Sequence, residues 1–306
     1  MQTTLKTDVT FEGVGLHSGI STRMTLRAAE ADHGVWFKRL DVAGSDQMVP
    51  ALYDAVDPQP LRTRIVNAAG VEVMTIEHIM AALAGCGVHN VLVEIDGPEV
   101  PIMDGASAEF VRGILAAGLG YLDAALYAVE VLRPVSVAQG EARATLAPAS
   151  ALEIDFEIEF DDAAIGAQSK RLNMANGTFV RELSDSRTFC RKSDIDMMHA
   201  NGMALGGTYD NAVVVDGDAV LSPGGLRHAD EAVRHKMLDA LGDLSLAGAP
   251  ILGRYHGVKA GHALTNQLLR ALFADERNYR IVRCSPEQQS RLPGVGVKPA
   301  DLALVA

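Results

Sequence analysis

Four residues in the segment 229–247, namely Glu231, His235, Asp239 and Asp243, follow one another at intervals of four. Four residues of an α-helix advance about 40° around its axis, so neighbours in such a series stack on one face. His235 and Asp239 can therefore reach a single metal ion, by the geometry that puts the two histidines of an H-E-x-x-H helix on one zinc. The opposite arc carries Val233, Met237, Leu238, Leu241 and Leu244, so a plain solvent-facing stripe is the competing reading. A catalytic divalent site takes three protein ligands and keeps one position open for water, and the third ligand must come from elsewhere. Glu77 and His78 stand side by side at the start of an otherwise apolar segment. Adjacent helical residues diverge by about 100°, so His78 as ligand and Glu77 as base toward water is a coherent division of labour. A glutamate favoured by the helix dipole beside a satisfied histidine is the bland alternative. A third constellation is Lys259-Ala260-Gly261-His262, a glycine-flanked loop in which His262 could act as acid, ligand or ribose contact and Lys259 could meet a phosphate. His17 lies in a similar loop, GVGLHSG; like His33, His199, His228 and His256, a lone loop histidine is ordinarily structural.

These residues need elements to position them. Ile76, Ile79, Met80 and Leu83 recur at helical spacing in 75–86, with Thr75 as the expected N-cap and Gly85 and Gly87 ending the run. A second helix is expected over 104–119, capped by Asp104 or Ser107. Helical spacing returns near 178–199, at 229–247 and from about Ala263 to Phe273. The first 50 residues read as short strands punctuated by glycine, and Asn90–Asp96 and Asn211–Val215 as further strands. Leu152–Phe160 alternates without a break: Leu152, Ile154, Phe156, Ile158 and Phe160 share one face, and Glu153, Asp155, Glu157 and Glu159 the other. That is a half-buried strand with a wet face, whose acids diverge and do not converge on a cation. Strands and helices mix without strict βαβ alternation, which gives an α+β fold. A new β-rich region opens at Leu126, dividing the chain into 1–124, which supplies Glu77 and His78, and 125–306, which supplies His235, Asp239 and His262. NVLVEIDG and NAVVVDGD resemble each other faintly, as two copies of a duplicated unit would. The tail from Pro286 is polar and expected to be loosely held. No glycine pattern for a nucleotide fold opens a helix.

The chain has 306 residues, 48% hydrophobic and 22% charged, and a net charge of −12. That balance argues against nucleic acid, whose partners present a basic face. Three scattered cysteines cannot form an even disulfide framework, and no run reaches the ~18 apolar residues of a membrane span. The longest, Ile79 to Val93, is broken by His89 and Asn90. With no signal-peptide pattern at its start, the chain reads as cytoplasmic.

In combination and order, the segments GVGLHSG (13–19), TIEHIMAALAGCGVHNVLVEIDGPEVPIMDGA (75–106), SDSRTF (184–189), VRHKMLDALGDL (233–244) and KAGHALTNQLLRAL (259–272) resemble the UDP-3-O-acyl-N-acetylglucosamine deacetylase family of lipid A biosynthesis, from about residue 3 to 275. The resemblance implies His78, His235 and Asp239 as metal ligands, with zinc the usual metal and iron(II) its cellular alternative. It implies Glu77 as general base, His262 as the acid that protonates the leaving amine, and Asp243 as its orienting carboxylate. Lys236 and Thr188 match groups that stabilise the oxyanion. The implied fold is two similar α+β domains, each a sheet packed against two helices and each carrying a small insert, with the active site between them. The second insert forms an apolar passage for the acyl chain, and Ile195, Met197, Met198, Met203, Ala204 and Ala212 fall in that stretch. His17, Phe189, Gly207 and Lys259 complete the implied substrate contacts.

The function so implied is hydrolysis of the N-acetyl group of an acylated UDP-sugar, releasing acetate at the committed step of lipid A biosynthesis. The partner is that small molecule, with the chain itself a monomer. A deacylase of another nucleotide sugar is the second enzyme reading, and a metal-stabilised binding module the non-enzyme one. A binding module closes its metal with a fourth protein ligand, for which only Asp243 is at hand. Lys236 and Lys259 are the candidates for a local basic patch toward the anionic substrate. Local departures from the family pattern are Arg62, Thr63 and Arg64, and the acidic stretch DDAAIGAQ at 161–168.

Overall fold

A computed structural model describes residues 1–44 and 46–304. The fold is α+β, built on two main sheets that each carry helices. The first sheet has five strands in the order Val9–Val14, Ser21–Ala28, Val91–Ile95, Val35–Arg39, Met48–Pro50, antiparallel except where Val35–Arg39 runs parallel to Val91–Ile95. Its inward faces follow the two-residue period of a strand: Thr22, Met24 and Leu26 are buried while Arg23 and Arg27 face water. The second sheet has seven strands around Ile251–Val258, which pairs in parallel with Leu152–Glu159 and Tyr127–Val131 and antiparallel with Ala142–Ala147. In Leu152–Glu159 the alternation read from the sequence holds: Leu152, Ile154, Phe156 and Ile158 are buried. On its wet face Glu153 pairs with Arg171, Glu157 with His256 and Glu159 with Lys259.

Seven α-helices occur among the described residues: α1 (Glu77–Cys86), α2 (Ala108–Ala117), α3 (Thr178–Glu182), α4 (Lys192–Ala200), α5 (Glu231–Ser245), α6 (His262–Phe273) and α7 (Pro286–Gln289). α1 packs against α2, and α2 lays Phe110 on Phe11 of the first sheet, ring centroids 5.0 Å apart and near perpendicular. α5 and α6 pack on each other; α5 covers Leu152–Glu159 and α6 covers Val135–Gln139 and Ala142–Ala147. α1 packs closely against α5. The joint is set by Gly242, where a Cβ would come within 2.1 Å of the Glu77 carbonyl oxygen. Only a residue with no side chain lets the two helices approach this closely. Residues on both sides of that joint belong to one contiguous apolar core, including Phe37, Ile79, Leu83, Phe156, Leu238, Leu241 and Tyr255.

Several local expectations change. Thr75 is not the cap of α1: it has φ +57°, and its hydroxyl donates to Glu99 instead. Ser107 occupies the N-cap position of α2 but donates its hydroxyl to the His78 carbonyl. The helical stretch expected near 178–199 is two helices, α3 and α4, separated by 184–191. NAVVVDGD is not the counterpart of NVLVEIDG, because Val91–Ile95 is central in the first sheet while Val213–Asp216 lies in a separate three-stranded sheet with Phe189–Arg191 and Ala219–Val220. The tail is docked rather than loose: Ser285 and Gln288 form a capping box, Leu292 is buried, and Gly294 sits against Gly87. No helix is long and apolar enough to cross a membrane among the described residues.

Candidate active site

α5 is buried on all sides, so its polar stripe does not face water. Glu231, His235, Asp239 and Asp243 are each 4% exposed or less. The helical spacing does what it promised for two of them. His235 Nε2 lies 3.3 Å from Asp239 Oδ1, and His78 Nε2, from the first turn of α1, lies 3.6 Å from the same oxygen. Ligand atoms of His78, His235 and Asp239 all fall within 4.8 Å of one another. The donor set fits a divalent cation. The Nδ1–H of His235 donates to the Ser186 carbonyl at 3.0 Å, which fixes the tautomer whose Nε2 lone pair faces the cluster. Burial lowers the pKa of His235 to about 4 and keeps it in the neutral, ligating form. Asp239 Oδ1 is buried with no hydrogen-bond donor, a costly state for a carboxylate oxygen and one that a cation resolves. Against its burial, His235 and Lys236 hold the Asp239 carboxyl well below the usual range, so it is anionic.

Two proton-transfer groups flank this cluster. Glu77 Oε2 accepts the Thr63 N–H at 3.1 Å, which leaves Oε1 free, 3.8 Å from His262 Nε2. Burial raises the pKa of Glu77. His262, the first residue of α6, bonds through Nδ1 to Asp243 Oδ2 at 2.9 Å, and the Thr63 hydroxyl donates to Asp243 Oδ1 at 2.6 Å. Burial alone would lower the pKa of His262, but Asp243 and Glu77 outweigh it and lift it to about 9. Asp243 is thus committed to His262 and Thr63 rather than to the cluster. Lys236 Nζ donates to Asp239 Oδ2 at 2.7 Å, which raises its pKa against the burial that lowers it.

Of these groups His235, Lys236, Asp239 and His262 border one cavity of about 840 Å³, while Glu77, His78, Thr63 and Asp243 are absent from its wall. Thr188, Phe189, Ile195, Met197, Ala204, Gly207 and Ala212 line it, as do Met198, His17 and Lys259; Met203 is absent from its wall. Phe189 packs edge-on against Phe160, 5.4 Å between centroids. Lys259 is held by Glu141 at 2.9 Å and Glu159 at 2.7 Å, so its charge is already answered. His17 is 4% exposed; its Nδ1 accepts the Ala204 N–H at 3.4 Å and its Nε2 has no partner.

Three groups position this site in roles that were not read from the sequence. Glu99 is fully buried and accepts from the His17 N–H (2.9 Å), the Ser18 N–H (2.7 Å) and the Thr75 hydroxyl (2.7 Å), tying the His17 loop to the residues that start α1. Glu231, the first member of the α5 series, takes no part in the cluster. It clamps Arg187 through Nε at 2.8 Å and the backbone N–H at 3.0 Å, fixing the 184–189 segment that carries Ser186, Thr188 and Phe189. Thr63 links Glu77 to Asp243. The only signal for Glu99 was an acid set in apolar turn residues, Pro98-Glu99-Val100-Pro101, which must find donors if buried.

Residues 2–274 match the family described as LpxC, UDP-3-O-acyl N-acetylglycosamine deacetylase. Curated relatives named UDP-3-O-acyl-N-acetylglucosamine deacetylase include one from Phenylobacterium zucineum, 49% identical over 92% of this chain and 96% of that protein. Another from Anaeromyxobacter sp. is 44% identical over 94% of this chain and 93% of its own length. A third from Shewanella frigidimarina is 40% identical over 99% of both.

Proposed function

This chain belongs to the UDP-3-O-acyl-N-acetylglucosamine deacetylase family, and from that premise we propose that it hydrolyses the N-acetyl group of an acylated UDP-N-acetylglucosamine in lipid A biosynthesis. The observation that carries the reading is the convergence of His78, His235 and Asp239 from two helices, with Glu77 and His262 on its border. Those three residues would hold a divalent ion, zinc or iron(II). Such an ion supplies Lewis-acid polarisation of the amide carbonyl and makes water more acidic.

The chain's own residues do the rest. Glu77, with Oε2 pinned by Thr63, takes a proton from the attacking water on Oε1. As the water oxygen bonds to the acetyl carbon, Lys236 Nζ and the Thr188 hydroxyl stabilise the negative charge on the carbonyl oxygen. His262 then gives its Nε2 proton to the amine as the carbon–nitrogen bond breaks, and Asp243 keeps it protonated and oriented through Nδ1. The products are acetate and the free amine. The apolar wall formed by Ile195, Met198 and Ala212 suits the acyl chain, since methionine adapts to irregular apolar shapes. We place the boundary between two domains at 124/125, a reading supported by each half having its own sheet and helix pair.

Glu77→Gln and His262→Ala test the division of labour. Each should lower turnover by about 10²–10⁴ while leaving the metal content of the protein unchanged. Loss of metal in either variant would overturn the assignment of ligands against acid and base.

A further inference from the structure

The proposed base and acid stand on different helices, and each has a single side-chain hydrogen bond to aim it among the described residues. For Glu77, in the first turn of α1, it comes from the Thr63 N–H to Oε2 at 3.1 Å. For His262 it joins Nδ1 to Asp243 Oδ2 at 2.9 Å. The other oxygen of that carboxylate, Oδ1, accepts the Thr63 hydroxyl at 2.6 Å. Thr63, Asp243, His262 and Glu77 therefore form a ring with one open edge, the 3.8 Å between His262 Nε2 and Glu77 Oε1. That edge is too long for a hydrogen bond, and it separates the two atoms that would take and give a proton in the proposed reaction.

Thr63 is a rigid point in this ring. It is buried, and its carbonyl accepts the Ile76 N–H at 3.4 Å. The residues after it, Arg64–Val66, pair antiparallel with Glu72–Met74, the strand that leads into α1. Arg64 closes the arrangement by pairing with both Asp57 and Glu72. The backbone at Thr63 is thus tied to the start of α1, while its side chain reaches across to α5. A buried hydroxyl needs an acceptor, and an ordinary carbonyl would satisfy it. Here the acceptor is a carboxylate whose second oxygen holds the acid. The terminal torsion of an aspartate is soft, and donors on both oxygens fix its plane where one would not.

We propose that Thr63 is the positioning residue of the acid–base pair. Its hydroxyl fixes the plane of Asp243 and so the direction of the His262 ring, while its backbone N–H leaves Glu77 Oε1 as the free oxygen. One residue sets base and acid against each other across the joint of α1 and α5. The inference rests on the deacetylase reading for the reaction that those groups perform. Such positioning has a large effect on rate, since a displacement of about 1 Å can cost about 10²-fold.

The test uses the full chain and the variants Thr63→Val and Thr63→Ser. Thr63→Val keeps the branched shape and the backbone N–H but removes the hydroxyl, which Thr63→Ser retains. With the metal-loaded protein and the acylated UDP-N-acetylglucosamine, kcat should fall by about 10- to 100-fold in Thr63→Val while KM stays within about threefold. Thr63→Ser should bring kcat back to within about threefold of wild type. In an Asp243→Ala background, Thr63→Val should cost less than about twofold, because residues that act through one another are not additive. A further readout needs neither metal nor substrate. Exchange of the His262 Nδ1 proton with water, followed by NMR in the metal-free protein, should be about tenfold faster in Thr63→Val and near the wild-type rate in Thr63→Ser. An unchanged kcat or an unchanged Nδ1 exchange rate in Thr63→Val would overturn the inference. So would a Thr63→Ser as slow as Thr63→Val, or a full loss on Thr63→Val in the Asp243→Ala background. If the wild-type protein releases no acetate while Nδ1 exchange responds as expected, Thr63 positions Asp243 and His262 and the deacetylase reading falls.

Discussion

Asp243→Asn isolates the coupling on which the proposed acid depends. In the folded protein Asp243 Oδ2 lies 2.9 Å from His262 Nδ1, and Glu77 stands 3.8 Å from the other ring nitrogen. Burial opposes a charged imidazole, yet the pKa rises from 6.5 to about 9 because these carboxylates more than compensate, Asp243 first. That difference corresponds to about 3 kcal/mol of interaction with the protonated ring. The folded pKa is raised, so this stabilisation is fully present below pH ~6.5 and is lost as the pH climbs through about 9. The substituted amide would keep the shape of the carboxylate but not its charge, leaving burial to dominate. We expect the His262 ring of the metal-free variant, followed by nitrogen-detected NMR, to titrate at least about one pH unit lower than in wild type. Urea unfolding at pH 6 and pH 9.5 should show a pH-dependent loss of stability smaller in the variant by about 1–3 kcal/mol. In the metal-loaded enzyme kcat should fall by about 10²–10⁴, as for loss of an acid. A His262 that still titrates near 9 in Asp243→Asn, or an unchanged difference in stability between the two pH values, would refute the reasoning.

Other substitutions probe the scaffold. Glu231→Ala leaves the buried Arg187 guanidinium without its carboxylate, and unfolding should become easier by about 3–5 kcal/mol, measured by urea titration. A cost under about 1 kcal/mol would mean that the clamp is not what holds the 184–189 segment. Gly242→Ala drives a methyl group into the Glu77 backbone and should both destabilise the fold and weaken metal binding, because α1 carries His78 and α5 carries His235 and Asp239; equilibrium dialysis against zinc reads the second effect. Glu99→Ala removes the acceptor of three donors and should free the His17 loop, visible as faster amide exchange at His17 and Ser18. Unchanged exchange there would show that other contacts hold the loop.

What was legible in the sequence was what a single element encodes. Asp239 stands four residues after His235, and helical geometry alone brings the two together. The alternation of Leu152–Glu159 likewise needs only the strand period. The α+β class followed from the mix of such patterns. Groups brought together by tertiary approach left little trace. Thr63 meets Asp243 across 180 residues and Glu231 meets Arg187 across 44, and nothing in either segment names its partner. Thr75 shows a local rule overridden, since its hydroxyl is worth more to the buried Glu99 than to a helix end. The lysines show the same limit in charge. Lys259 looked free because Glu141 is 118 residues away, while Arg62 lay inside a stretch that gave no sign of being left unpaired.

The most direct test of the central claim is to strip the protein of metal, return zinc or iron(II) in steps, and measure bound metal and acetate release from the acylated UDP-N-acetylglucosamine in the same samples. We expect release to rise in proportion to bound metal, to saturate at about one ion per chain as a three-ligand site requires, and to vanish in His235→Ala. Full acetate release from the metal-free protein, or one tightly bound ion per chain with no release, would contradict it.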